Sequence, residues 1–567
     1  MTNKAIAGLL KLTSALLEIH DENPFKIRTY TNAVYKVENL EEQLFGKNIS
    51  ELESLDGIGK SLAKSIQSIF ETGTFDLLEE MKSITPPGIL DMIALKGIGP
   101  KKIRTIWKEL GIENTDALYD ACLSGKIAGL KGFGIKTQEA IKENLEYLIS
   151  QRGMVHFADA EPLAEKLLRI IRPHLTDEDR VSLTGEMRRK TEIVQCIEVL
   201  VTNKNRQILR QALEKSGIVE LNFRESGPFS LRGKFLKEEL NWLIRLVNED
   251  EFEGKLMIYT GSGNHLSKVI KDNINLYSYL MEQPILSESK AYEVFGIPYI
   301  HPELREGSFE LNYSNGDALT GLLEFEDLKG PFHNHSNYSD GKNTIRELAE
   351  YCMAQGFEYL GLSDHSKSAF YANGLREFDI KKQHEEIDIL NKEFAPFTIF
   401  KGIESDILSD GSLDYEKDVL ASFDFIVASV HSNLNMDRDK ATSRLLKAIE
   451  NPYTTILGHP TGRLLLRRQG YPVDHKKVID ACAENKVIIE INANPWRLDL
   501  DWRWVHYALE KEVILSINPD AHEIEGFNDM RYGVFIGRKG GLTKEMTFNT
   551  WSLDKVKKYL ADRKANI

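Results

Sequence analysis

The sequence predicts a multidomain protein that joins an all-helical front to a C-terminal α/β barrel. Two patterns carry that reading. A Gly-x-Gly turn recurs three times before residue 150, each time between helical patterns. Beyond residue 331, seven short apolar runs each end in a candidate metal ligand. At 567 residues, 42% hydrophobic and 28% charged, the chain has the composition of an ordinary soluble protein and the length for several cores.

The front repeat reads Gly57-Ile58-Gly59, Gly97-Ile98-Gly99 and Gly132-Phe133-Gly134. Two glycines make a tight turn, and the apolar residue between them plugs the gap between flanking helices. The following helix then presents its free amides as a phosphate seat. The next helices open with Lys60-Ser61, Pro100-Lys101-Lys102 and Ile135-Lys136-Thr137. This resembles the helix-hairpin-helix motif, which grips a DNA backbone without reading sequence. The resemblance implies DNA contacts at Gly57, Gly59, Gly97, Gly99, Lys101, Lys102, Gly132, Gly134 and Lys136. The second copy, with Lys96, Arg104 and Lys108 as well, is the most basic; Asp56 weakens the first.

The seven C-terminal runs are 332–335, 359–365, 399–404, 425–431, 456–459, 487–492 and 513–522. Short continuous apolar runs read as buried parallel strands. Ligands at their carboxyl ends meet at one rim of a barrel. His333, His335, His365, His431, His459 and His522 offer imidazole; Asp340, Glu404 and Asp520 offer carboxylate. This thiolate-free set suits Zn, Mn or Fe, and nine ligands call for two or three ions. Such sites cleave phosphate esters by activating water and bracing the attacking and leaving oxygens.

These residues, within Ser339-Asp340-Gly341, Ser363-Asp364-His365, Glu404-x-Asp406, Gly458-His459-Pro460 and Asp520-Ala521-His522, resemble the PHP (polymerase and histidinol phosphatase) family. The resemblance implies a distorted seven-stranded (β/α) barrel with a trinuclear Mn or Zn centre. It implies one ion on His333, His335, Glu404 and Asp520, the catalytic centre. A second would be shared by Glu404, His431 and His459, and a third held by Asp340, His365 and His522.

Between front and barrel, Gly185-Glu186-Met187-Arg188-Arg189 and the run 194–201 resemble the nucleotidyltransferase signature of family X DNA polymerases. Tyr259-Thr260-Gly261-Ser262 and the stretch 295–306 extend the likeness, and residues 1–80 resemble that family's small helical domain. The expected α+β palm is degenerate. Active members carry Ser after the glycine and three metal-binding aspartates; here Glu186, Cys196, Glu198 and Leu243 stand in those places. A thiol and a leucine do not serve Mg, which demands hard oxygen ligands, so Mg is not expected there. The likeness as a whole is to bacterial PolX-type proteins, a family X core fused to a PHP domain. The expected division is a helical domain over 1–80, a fingers-like hairpin region over 81–150, palm and thumb over 151–317, a linker over 318–330, and the PHP domain over 331–567.

Arg463, Arg467 and Arg468 follow His459 and serve either a DNA phosphate or a solvated surface. Trp496, Trp502 and Trp504 are candidates for base stacking or, the better reading, core packing. His384, His475 and His506 fall on helical patterns off the strand ends and read as non-ligands. The net charge of -14 gives no global basic footprint, so nucleic-acid contact must come from local geometry. The four cysteines are far apart and form no paired motif, which fits a reducing cytoplasm; no stretch reaches bilayer-spanning length. The expected function is metal-dependent 3′–5′ exonuclease activity in DNA repair, on gapped or 3′-ended DNA regardless of sequence, with the palm holding the DNA. The alternative is a working gap-filling polymerase with unusual metal ligands.

Overall fold

The computed structural model describes residues 3–38, 40, 44–55, 57–93, 95, 98–202, 206–271, 273–312 and 321–567. Gly97, Lys96 and Asp56 of the hairpins and residues 318–320 of the expected linker lie outside the described residues. Two compact units result, Met1–Arg152 and Gly153–Ile567.

The first unit is helical. Lys60–Thr72 buries Leu62, Ala63, Ile66 and Ile69 along one face and stops at Gly73, whose φ of 79° suits a residue without a Cβ. Pro100–Leu110 starts on a proline, which sacrifices no helical hydrogen bond there, and buries Ile103 and Ile106. The hairpin turns form as the pattern demands. Gly57 and Gly132 both sit at φ +84°, and Gly59, Gly99 and Gly134 cap the following helices without a side chain. Ile58 and Ile98 are buried between helices, whereas Phe133 is only half-buried.

The second unit opens with a five-stranded sheet in the order Val181–Thr184, Cys196–Val201, Asn241–Leu246, Ser230–Phe235, Val219–Leu221. Cys196–Val201 and Asn241–Leu246 run parallel, with Cys196 opposite Asn241 and Glu198 opposite Leu243.

Six parallel strands follow, neighbours in chain order: Tyr359–Leu362, Thr398–Asp406, Phe425–Ser429, Ile456–Leu457, Ile488–Asn492 and Leu515–Asn518. Most are buried along their whole length, as expected of strands covered on both faces. The expected seventh strand is an irregular segment over 329–335 that closes the curl. On one side it accepts from Glu358, Gly361 and Ser363 through the carbonyls of Lys329, Pro331 and Asn334. On the other, Asp520 N–H donates to His333 O and His335 N–H to Ala521 O. Regularity fails for physical reasons. Pro331 has no amide hydrogen, and the Asn334 amide donates to the Ser363 hydroxyl instead of a ladder carbonyl.

Within the α+β part, Arg188 and Arg305 share Glu288 at 2.7 Å. Further buried ion pairs bolt that part to the barrel. Lys539, fully buried on the barrel side, pairs with Glu306, which also takes Arg189 at 3.0 Å. Arg538 reaches Glu303 at 2.6 Å. Each charge is met by an opposite one, the condition under which burial of charge is tolerated.

Candidate metal centre

The strand ends and the closing segment bring all nine candidate ligands to one rim. Three groups have ligand atoms close enough to share a cation: His335, Asp340, His365 and His522; His333, His335 and Asp520; His365, Glu404 and His431. Eight of the nine fall in these groups. The ninth, His459, places Nε2 3.0 Å from Glu404 Oε1. Glu404 is the hub: His333 Nε2 lies 3.2 Å and His431 Nε2 3.1 Å from its Oε1, and His365 Nδ1 lies 2.8 Å from its Oε2. His335 and His365 each belong to two groups, so the sets overlap more than the family resemblance implied.

The donor set fits cations. His333 Nε2, Asp340 Oδ1, His365 Nδ1 and Glu404 Oε2 are buried and make no hydrogen bond. Buried polar atoms left so are costly unless another partner satisfies them. The electrostatics agree. Burial alone would push the His431 imidazole down, but Glu404 and Asp406 outweigh it and raise it to about 10. His522 is likewise raised to about 9, by Asp340 and Asp520 against burial. Burial would raise the Asp340 carboxyl, yet the His522 imidazole 3.2 Å away, with His365 and His335 beyond it, holds it at about 2. His335, buried and flanked by His522 and His365, is pushed down to about 3. A carboxylate cluster that recruits protons onto its histidines is one that bound cations neutralise in their place.

Two residues behind the rim escaped the sequence reading. The run 487–492 was expected to end in a ligand; its Glu490 instead accepts from His333 Nδ1 at 2.7 Å and His459 N–H at 3.1 Å. Asp406 does the same for His431 Nδ1 at 2.6 Å. Carboxylates behind ligand histidines fix which nitrogen faces the metal. The second missed residue is Arg497, whose Nε sits 3.5 Å from Asp520 Oδ2. It lies beyond the strand end in a loop, where no periodicity marks it. The arginines that the sequence did single out are otherwise engaged. Arg463 is tied to Asp501 and to the carbonyls of Arg497 and Leu498, and Arg468 to the carbonyl of Gly462. Arg467 stacks on Trp496 at 4.0 Å. Trp502 is core; Trp496 is 38% exposed and packs on His156 instead. His475 stacks on Trp504, His506 on Phe309, and His384 lies edge-on to Phe423.

At the degenerate polymerase position, Glu198 is held by Arg245 at 2.9 and 3.3 Å. Burial and the neighbouring Glu198 push the Cys196 thiol up to about 12, so it stays protonated. Leu243 is 6% exposed and offers no ligand atom. Glu186 Oε2 accepts the amides of Gln195 (2.7 Å) and Cys196 (3.4 Å). Cys196, Glu198 and Leu243 border an open groove of about 1050 Å³ that Arg232 and Lys234 also line. In the hairpins, the Lys101 side chain is 84% exposed, Lys136 is exposed and Lys102 half-buried, while Arg104 is neutralised by Asp21.

Family models match in three places: a helix-hairpin-helix domain over 1–75, a SAM-like helix-hairpin-helix tandem over 89–146, and a PHP domain over 331–494. The DNA polymerase/3′–5′ exonuclease PolX of Bacillus subtilis (strain 168) is 35% identical over 575 aligned residues, covering 99% of each chain. This chain belongs to the PolX family. Probable phosphatases of Thermoanaerobacter sp. (strain X514) and Caldanaerobacter subterraneus subsp. tengcongensis are 26% and 25% identical over 40% of this chain, covering 91% and 87% of their own. Their alignments span 235 residues, against the 237 from 331 to the end of this chain. The PolX assignment brings DNA binding through the hairpin domains and a metal-dependent phosphoesterase barrel. No helix among the described residues is long and apolar enough to cross a membrane.

Proposed function

We propose that this chain is a DNA-repair exonuclease of PolX type that removes nucleotides from 3′ ends at the barrel rim. In this reading the palm core binds gapped DNA and does little or no synthesis. The observation that carries it is the contrast between two sites of one chain. Nine candidate ligand residues converge at the rim, while Cys196 and Leu243 leave the polymerase position without two of its three carboxylates.

His333, His335, Asp340, His365, Glu404, His431, His459, Asp520 and His522 would hold two or three divalent ions, Mn or Zn. Bound there, the ions supply Lewis acidity and lower the pKa of water. The chain's own groups do the rest. Glu490 and Asp406 hold His333 and His431 with Nε2 inward. Arg497, beside Asp520, is placed to take a phosphate oxygen of the scissile ester, and guanidinium suits that contact better than a point charge. Gly59, Gly99 and Gly134, with Lys101, Lys102 and Lys136, grip the DNA backbone regardless of sequence. The working division is 1–80, 81–150, 151–317 and 331–567, and the expected compartment is the cytoplasm.

Labelled gapped DNA incubated with Mn, with and without nucleotides, tests the reading. Shortening in both conditions supports it. Extension without shortening would replace it with a gap-filling polymerase.

A further inference from the structure

The loop after His365 carries two aromatic side chains that no packing explains. Phe370 is 70% and Tyr371 53% exposed, with ring centroids 6.0 Å apart and planes at 78°. The loop is braced, which distinguishes the pair from a floppy surface. Leu375 N–H donates to His365 O (2.8 Å), Lys367 N–H to the Tyr415 hydroxyl (3.1 Å) and Ser368 N–H to Asp414 (2.6 Å). Asn373 reaches the carbonyl of Ser339, next to the ligand Asp340. Strand order puts this loop across the rim from Trp496. One follows Tyr359–Leu362 and the other Ile488–Asn492, three steps apart through the closing segment in one direction and four in the other.

We propose that Phe370 and Tyr371 form a stacking ledge for the unpaired base of the strand end being cleaved. Exposed rings on a braced loop beside a phosphate-cleaving centre suit a nucleobase. Every base offers a π face, so such a ledge favours unpaired ends without selecting sequence. A free phosphate monoester would gain nothing from it. The ledge rests on the exonuclease reading and adds to it a seat for the terminal base.

The test uses the full chain. A single-stranded oligonucleotide with 2-aminopurine at its 3′ terminus is titrated without divalent metal, so that nothing is cleaved. Fluorescence quenching by the wild type, lost with Phe370→Ala plus Tyr371→Ala and kept with Phe370→Trp plus Tyr371→Phe, is the expected result. With Mn, the wild type should show a KM roughly tenfold lower for a 3′ end bearing a base than for one ending in an abasic analogue. The double alanine variant should show no difference. Equal quenching by both chains, or equal wild-type KM for the two ends, overturns the ledge. If the wild type hydrolyses no DNA end at all, the exonuclease reading fails instead, and the quenching still decides whether the ledge exists.

Discussion

Replacing Arg497 with alanine removes the guanidinium that stands 3.5 Å from Asp520 Oδ2 at the candidate centre. Its Nη groups donate to no protein acceptor among the described residues, so a phosphate oxygen would be their partner. Hydrogen bonds to charged groups contribute about 1.5–3 kcal/mol. The side chain is 21% exposed, and partial access to water argues for the lower half of that range, about 2 kcal/mol. At about 1.4 kcal/mol per tenfold, kcat/KM should fall roughly 30-fold. Arg497→Lys should recover only part of the loss, because an ammonium lacks the planar fork. The assay is single-nucleotide release from a 5′-labelled strand, with metal content measured on the same preparation. Activity within twofold of wild type at full metal content would refute the phosphate role. Loss of metal along with activity would move Arg497 to the task of holding Asp520.

Three further outcomes are expected. Cys196→Asp alone should not restore primer extension, because Leu243 still supplies no ligand and Arg245 still occupies Glu198; measurable template-directed synthesis by that variant would contradict this. Lys101→Glu with Lys102→Glu should weaken DNA binding and flatten its salt dependence by a log–log slope of about 1 to 2, whereas Lys60→Glu, a single reversal at the first hairpin, should do less. Glu288 governs acid stability inside the α+β part, where it ties Arg188 to Arg305. Burial pushes its carboxyl up, but Arg188 and Arg305 outweigh it and hold it down at about 2, against 4.5 ordinarily. A depressed carboxylate contributes stability fully above its unfolded pKa and loses it as pH falls through the folded one. Glu288→Gln should therefore lower Tm at pH 7, and the gap should narrow from pH 4.5 towards 2; a constant gap would argue that shape rather than charge matters there.

The barrel was legible because buried parallel strands leave continuous apolar runs and because ligands at strand ends share one rim. The closing segment read as a strand from Phe332 and His333, but Pro331 and Asn334 make it irregular, an effect of individual hydrogen bonds that periodicity does not encode. The hairpin turns were legible for the same reason that they form: glycines at Gly57 and Gly132 adopt a φ that other residues resist. The capture of Glu186 by the amides of Gln195 and Cys196 was not legible, since sequence places a side chain on a segment and not its rotamer. Arg497 and Glu490 were missed because their roles depend on which loop and strand lie against Asp520 and His333. Those contacts join residues 23 and 157 positions apart.

The most direct test of the account is product analysis on gapped DNA with Mn, comparing the wild type with His333→Ala and with Asp520→Asn. The account expects the wild type to bind two or three ions per chain and release mononucleotides stepwise from the 3′ end. Both variants should lose that release while the front unit stays folded and DNA binding persists. Undiminished 3′ degradation by either variant, or robust primer extension retained when His333 and Asp520 are both replaced, would contradict it.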